Sequence, residues 1–314
     1  MAKKFNIDFN KAFKKVLIVY AAVFLAGIII AAVFGVDLDI NFRGGTRITY
    51  SYTGDIADSD IESAVKDNID GSFEINQSTS IAGDTQTFSI SLAGRSSLSA
   101  ENQEAITSSL EEAFPDNKVE IYDSNSVSPT IAGTFLLKSL VAVIITAVLV
   151  IIYVGIRFKK IGGVSAAVTA LCALVLDILI TFFTCVFFRL QIDSNYIAVV
   201  LTILGYSLND TIVIYDRIRE NKSMSPDLDT YELVNRSINM VKTRNLVTTL
   251  TTFLAVITIV VISELYGLTT LRTFAIPMAF GIVSGCFSSL FVSGPLWVLW
   301  LNFKEKRAAK KASK

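Results

Sequence analysis

Six apolar stretches, each long enough to cross a bilayer, set what this chain can become: 16–36, 131–156, 163–188, 196–215, 246–264 and 274–301. A helix needs about 20 apolar residues to span the hydrocarbon layer. Backbone in lipid must close its own hydrogen bonds, so each stretch is expected to be an α-helix. The last stretch is long and has Pro277 near its start, so a tilt or an irregular first turn is expected there. Composition agrees: 52% of residues are hydrophobic and 18% charged, more apolar than a soluble globular chain. The first stretch reads as a retained anchor rather than a signal peptide. Its apolar run exceeds a typical signal core, and no A-x-A site precedes Asp37.

Net charge is zero, but the basic residues are segregated. They cluster at Lys3, Lys4, Lys11, Lys14 and Lys15; at Arg157, Lys159 and Lys160; at Arg217, Arg219, Lys222, Arg236, Lys242 and Arg244; and from Lys304 to Lys314. With six spans these clusters fall on one side of the membrane, which the positive-inside rule makes cytoplasmic, with both termini on that side. The short loops of the other side carry only Arg189 and Arg272. A multi-pass membrane protein is expected.

The domain plan is therefore 1–36, the N-terminus and first span; 37–130, an extracytoplasmic domain; 131–301, five further spans with a cytoplasmic loop at 216–245; and 302–314, a basic tail. Within 37–130 the runs RITYSY (47–52), 73–77, TQTFSISL (85–92) and KVEIY (118–122) suit strands. Helical patterns lie between them, at 56–69 with Ile61 and Val65 on one face, and from Ser99 with Ile106 and Leu110 on one face. The order β-α-β-β-α-β predicts a ferredoxin-like α+β domain. In the cytoplasmic loop, Asp229 and Glu232 form a capping-box pattern that opens a helix carrying Leu233, Val234, Ile238 and Val241.

Several chemistries are argued against. The chain has no histidine, which removes His-based nucleophilic catalysis and weakens any transition-metal site. Cys172, Cys185 and Cys286 all fall within spans, so no disulfide framework is expected. Gly44-Gly45 lacks the strand before and helix after that a phosphate loop needs, and reads instead as a tight backbone turn. No cofactor, metal, nucleotide or nucleic acid is expected, and an enzyme is not.

Two carboxylates sit inside spans, Asp177 and Asp210. An acid at the bilayer centre costs about 2.5–3.5 kcal/mol on insertion scales, so each needs a reason. Thr202, Tyr206, Asn209 and Asp210 follow i, i+4, i+7, i+8 spacing and predict a polar stripe. Arg244 heads a second stripe with Thr248, Thr251 and Thr252, and is a candidate counter-charge for Asp210. Burial disfavours a charged carboxylate and a nearby arginine favours it, so such a group can load and release a proton as its surroundings change. The alternative is a polar clip between helices. Intramembrane acids are functional by default, which favours coupling for Asp210; for Asp177 both readings stand level. By position alone, Arg244 is also a positive-inside anchor.

Gly281, Gly285 and Ser289, with Ser284 and Ser288, recur every four residues and predict a helix-packing surface. Trp297 and Trp300 suit an interfacial aromatic belt, and Glu264 a solvated span end.

The stretch GYSLNDTIVIYDRIREN (205–221) resembles the signature of the SecF family, the smaller membrane subunit of the SecD–SecF accessory complex of bacterial protein translocation, within the resistance-nodulation-division superfamily. INFRGGTRI, SPTIAG and RNLVTTLTT resemble further motifs of that family, so the likeness covers nearly the whole chain and takes in Gly44, Gly45, Asp216 and Arg217. It departs at Asn41, where an aspartate is expected; at Leu176, where many relatives have histidine before the aspartate; and at Asn245, where threonine is usual. The resemblance implies half of a pseudo-symmetric twelve-helix unit, with SecD as a separate chain, beside the SecYEG channel. It implies that the proton motive force cycles Asp210 and moves the outer domain on the emerging preprotein; Arg244, Asp177 and Asn209 join Asp210 as coupling candidates from the reading of the spans above. Membrane lipids are further partners. The alternatives are an exporter of small molecules or lipids from the same superfamily, an intramembrane aspartyl protease built on Asp177 and Asp210, and a structural scaffold.

Overall fold

The computed structural model describes residues 7–69, 73–79, 86–93 and 100–312. The first long helix, α1 (Phe9–Phe34), starts at Asp8, whose side chain accepts from the Lys11 amide and so caps the helix. A short helix α2 (Ile40–Arg43) leads into the α+β domain: β1 (Gly45–Tyr52), α3 (Asp58–Val65), β2 (Phe73–Thr79), β3 (Gln86–Ala93), α4 (Ala100–Ala113) and β4 (Glu120–Val127).

The four strands form one antiparallel sheet in the order β2-β3-β1-β4. Alternation places Ile48, Tyr50 and Tyr52 of β1 and Phe88 and Ile90 of β3 on one face, where they pack with Ile61 and Val65 of α3 and Ile106 and Leu110 of α4. The predicted α+β arrangement is present. The largest boundary differences from the sequence reading are in one helix and one strand. The helix expected over 56–69 is α-helical only to Val65, then tightens to a 3-10 turn over Lys66–Asn68. The last strand runs to Val127 rather than Tyr122, because almost all of β4 is exposed and its polar second half carries no alternating signal. Thr85 and Ser99, at the ends of predicted elements, lie outside the described residues.

Gly44 and Gly45 both have positive φ, 77° and 134°. A Cβ on Gly44 would stand 2.9 Å from Pro129 Cα, so the two chain attachments of the domain touch here and only glycine fits.

Five long segments follow: α5 (Pro129–Arg157), α6 (Gly163–Phe187), α7 (Ser194–Met224), α8 (Thr230–Leu265) and α9 (Thr269–Ser288). A π-helical turn at Ser289–Ser293 joins α9 to α10 (Gly294–Ala312). With α1, six segments among the described residues are long and apolar enough to cross a membrane, α9 and α10 counting as one. The irregularity expected near Pro277 falls at the π turn instead; Pro277 lies inside α9.

The predicted loop at 216–245 is mostly helix. α7 continues to Met224, α8 begins at Thr230 with the Asp229 side chain accepting from the Tyr231 amide, and only 225–229 connect them. The 36 residues of α8 measure about 54 Å, well beyond the ~30 Å hydrocarbon core. Its extra length is held by the chain start. Asn239 and Asn235 accept from the amides of Ile7 and Phe9 (3.0 and 2.9 Å), and the Tyr231 hydroxyl donates to Asp8 (2.7 Å).

Burial divides the bundle into centre and rim. In the most apolar window of each span, 78% of residues are buried in α9–α10, against 11% in α1 and 17% in α8. Close approach makes this possible: a Cβ on Gly281 would lie 2.6 Å from Thr181 Cγ2 and 2.7 Å from Ile203 Cδ1, and one on Gly285 3.0 Å from Ser207 Cβ. Trp297 corrects the aromatic-belt expectation. It is fully buried, because its indole N–H finds the Ser165 hydroxyl at 3.0 Å; Trp300 is exposed.

Gly281→Leu forces α9 away from α6 and α7 and is expected to cost about 1–3 kcal/mol of stability. Gly205→Ala, with nothing within 4 Å of the new Cβ, is expected to be neutral or stabilising; thermal unfolding in detergent compares them. At the chain start, burial opposes ionisation of Asp8, but bonds from Tyr231 and Lys11 outweigh it and hold its carboxyl below the usual range. The stability from this contact is thus present above the ordinary aspartate range and lost as pH falls through the depressed value. Tyr231→Phe is expected to move the Asp8 titration upward, read by NMR of a labelled carboxyl.

Candidate functional site

Asp177, in the middle of α6, is fully buried and fully partnered. Its Oδ2 accepts from the Ser207 hydroxyl of α7 (2.6 Å) and the Ser288 hydroxyl of α9 (2.8 Å), and its Oδ1 from the Ser284 hydroxyl of α9 (2.6 Å). The Tyr20 hydroxyl of α1 bonds the same Ser284 at 3.0 Å, so four helices meet at one carboxylate. Each hydrogen bond to a charged group contributes about 1.5–3 kcal/mol, enough in sum to offset the insertion cost of the acid. Sequence reading missed these serines as partners. Ser284 and Ser288, one turn apart on a span, were the available signal, but they read as packing residues.

The α7–α9 seam continues this closure. Thr211 and Ser289 hydroxyls meet at 2.9 Å, Ser289 also donates to the Ser207 carbonyl (3.2 Å), and the Tyr215 hydroxyl meets Thr169 of α6 at 2.8 Å.

Asp210, one turn along α7 from Ser207, is in the opposite condition. It is 3% exposed, yet its Oδ2 makes no hydrogen bond within the described residues. Three neighbouring polar atoms share that state: the Tyr206 hydroxyl of α7 and, on α8, Asn245 Oδ1 and Thr249 Oγ1. The Asn245 amide donates only to the Asp210 main-chain carbonyl, at 3.4 Å. Thr249 and the Arg244 charge both act on the carboxylate, but neither closes a bond of ordinary geometry on Oδ2. A buried polar atom without a partner costs about 1–3 kcal/mol, and native structures hold few of them. The α7–α8 seam concentrates several around one acid.

The other predicted residues separate. Asn209 and Thr202 are exposed on the outside of α7, so the expected stripe splits: neighbours at 209 and 210 point about 100° apart, one outward and one inward. Arg244 is exposed and forms no ion pair with Asp210. The hydroxyls of Thr248, Thr251 and Thr252 turn back to carbonyls of their own helix. Asp216 pairs with Arg157 (3.2 Å) and Arg219 (2.8 Å), and Arg217 with Glu220 (2.6 Å). Glu264 pairs with Arg272 at 3.0 Å. The two intramembrane acids do not converge: Asp177 is turned to α9 and Asp210 to α8. An aspartyl protease needs two carboxylates sharing a proton, so this geometry does not fit one. Among the described residues no group of His, Cys, Asp or Glu forms a metal site.

Residues 105–303 match the family described as protein export membrane protein SecD/SecF, C-terminal. The chain is similar to protein translocase subunit SecF of Petrotoga mobilis, with 32% identity over 96% of this chain and 98% of that one. SecF of Alicyclobacillus acidocaldarius shows 30% identity over 97% and 96%. Protein translocase subunit SecDF of Bacillus subtilis is 31% identical over 96% of this chain and 39% of its own length. Among solved structures, the crystal structure of SecDF from Thermus thermophilus, a translocon-associated membrane protein, superposes with a TM-score of 0.80 at 28% identity, covering 95% of this chain and 39% of that one.

The two acids are expected to respond oppositely to mutation. Asp177→Ala strands three serine hydroxyls at a helix junction and lowers the thermal midpoint by several degrees. Asp210→Asn removes an acid whose Oδ2 has no partner, leaving the midpoint unchanged or raised. Unfolding followed by the fluorescence of buried Trp297 checks both.

Proposed function

The chain belongs to the SecD/SecF protein export family, and from that premise we propose that it acts with SecD to drive preprotein export through SecYEG at the expense of the proton motive force. As a SecF-type translocase subunit it is a multi-pass membrane protein of a transport family, not an enzyme. The observation that supports ion coupling is the buried Asp210 carboxylate, whose Oδ2 has no hydrogen bond among the described residues, enclosed between α7 and α8 with Tyr206, Asn245 and Thr249 around it. A carboxylate in that setting can take up a proton without dismantling an existing hydrogen-bond network at Oδ2.

Asp177 serves a different part in this reading. Its three serine bonds tie α6, α7 and α9 into a fixed block, so the moving element is α8, whose seam with α7 has no such bonds around Asp210. Protonation of Asp210 weakens its attraction to Arg244, and a shift of α8 follows. Exposed Asn209 and Arg244 face outward beside the acid, where the SecD helices complete the path. The basic residues Arg157, Lys159, Lys160, Arg217 and Arg219 gather at the end of the bundle away from the α+β domain. That placement supports a cytoplasmic location for this end and both termini, and an extracytoplasmic domain that meets the emerging preprotein. One charge crossing 100 mV supplies about 2.3 kcal/mol, enough to bias a domain between two positions.

Vesicles reconstituted with SecD and SecYEG test the reading. Asp210→Asn is expected to abolish the gradient-dependent part of preprotein export while leaving complex assembly intact. Arg244→Met is expected to reduce it severalfold. Full stimulation by a gradient in the Asp210→Asn protein overturns the coupling role.

A further inference from the structure

The covalent connections of the α+β domain run to α1 and α5, yet the acids lie on α6 and α7. The structure contains a direct, non-covalent connection between the two. The linker ahead of α2 and the loop 188–193 between α6 and α7 lie side by side as a parallel β-bridge, Leu38 to Ile192. The Asp39 amide donates to the Ile192 carbonyl (3.0 Å) and the Ile192 amide to the Asp37 carbonyl (2.8 Å).

Side chains fasten this bridge to the domain. Asp39 is 1% exposed and accepts from the Asn41 amide (2.8 Å) and side chain (2.6 Å), which fixes its carboxylate at the start of α2. The Arg47 guanidinium, projecting from β1, donates to both the Asp39 carboxylate and Gln191 Oε1, and its Nε lies 3.3 Å from Ser91 Oγ on β3. One guanidinium therefore joins the sheet, the linker and the α6–α7 loop. On either side of it Arg189 donates to the Phe34 carbonyl at the end of α1 (2.8 Å), and Asp193 caps α7 while accepting from Thr273 of α9 (3.0 Å).

We infer that Arg47, Asp39 and Gln191 are positioning residues of export: they form the joint through which movement among the acid-bearing helices is transmitted to the α+β domain. Nη2 of the guanidinium holds the carboxylate and the amide oxygen while Nε reaches Ser91, a spread of donors over two nitrogens that a single ammonium does not have. The pair is partly enclosed, with Arg47 at 26% and Asp39 at 2% side-chain exposure, so breaking it leaves a buried carboxylate short of its counter-charge. The covalent linker from α1 alone transmits motion loosely, because Gly35 ends that helix ahead of the bridge.

This inference rests on the ion-coupled reading, and the test separates the two. Arg47→Met, Arg47→Lys and Gln191→Leu are prepared with SecD in vesicles, and three quantities are read: proton flux under an imposed gradient, gradient-dependent export, and hydrogen exchange of the Asp39 and Ile192 amides without a gradient. Arg47→Met is expected to keep its proton flux, lose at least fivefold in gradient-dependent export, and exchange both amides at least tenfold faster. Arg47→Lys should fall between it and the unmodified protein, and Gln191→Leu, which leaves the domain core untouched, should lose about twofold in export. Unchanged amide exchange in Arg47→Met overturns the joint, as does full export, or a flux that falls in step with export. Absence of gradient-driven flux in the unmodified protein overturns the ion-coupled reading instead, and amide exchange still decides whether Arg47 holds the bridge.

Discussion

Everything in the membrane half of this protein is arranged around a carboxylate that cannot be left alone. Asp177 lies where water does not reach, and its two oxygens are taken up by hydroxyls from α7 and α9, with Tyr20 of α1 one step further out. Hydroxyls of serine are short, so those helices must approach closely. The glycines at 281 and 285 allow that approach by leaving no side chain between α9 and its neighbours. Small residues and the acid thus belong to one device: the first permits contact and the second makes it specific.

The consequence is an uneven bundle. The seams of α9 with α6 and α7 are closed by packing and by a run of hydrogen bonds from Asp177 to Tyr215. One turn further along α7, the seam with α8 encloses side-chain polar atoms that have no hydrogen bond among the described residues. Since lipid offers no hydrogen bonds, such a seam has reason to exchange protons or to rearrange, whereas the satisfied seam does not. The two acids, equal in composition, are therefore unequal in physical state. That inequality underlies the proposed division into a fixed block and a mobile α8.

Both ends of the bundle are tied by polar contacts across long sequence separations. At one end the chain start is bonded to α8 through Asn235, Asn239 and Tyr231. At the other, Arg47 and Asp39 join the α+β domain to the α6–α7 loop. Local sequence shows little of either: an asparagine on a helix, or an arginine on a strand, reads as an ordinary surface residue. Trp297 was misread for a related reason. Its place near a span end fits a belt, and only the neighbouring helix supplies the Ser165 oxygen that lets it be buried.

Hydrophobic length and period are local properties, and they determined the spans, the α+β order of the domain and the presence of two acids within lipid. The resemblance of 205–221 to a family signature pointed to the same place. What tertiary structure decided is which acid is satisfied. The serines that partner Asp177 lie 30, 107 and 111 positions away, and Arg244, the expected partner of Asp210, is turned outward. Periodicity fixes the face of a helix on which a residue lies, but the partner of that face is set by how helices dock. Hydrogen bonding acts over about 3 Å, so only the docked arrangement separates a clamped carboxylate from one left with an unpartnered oxygen.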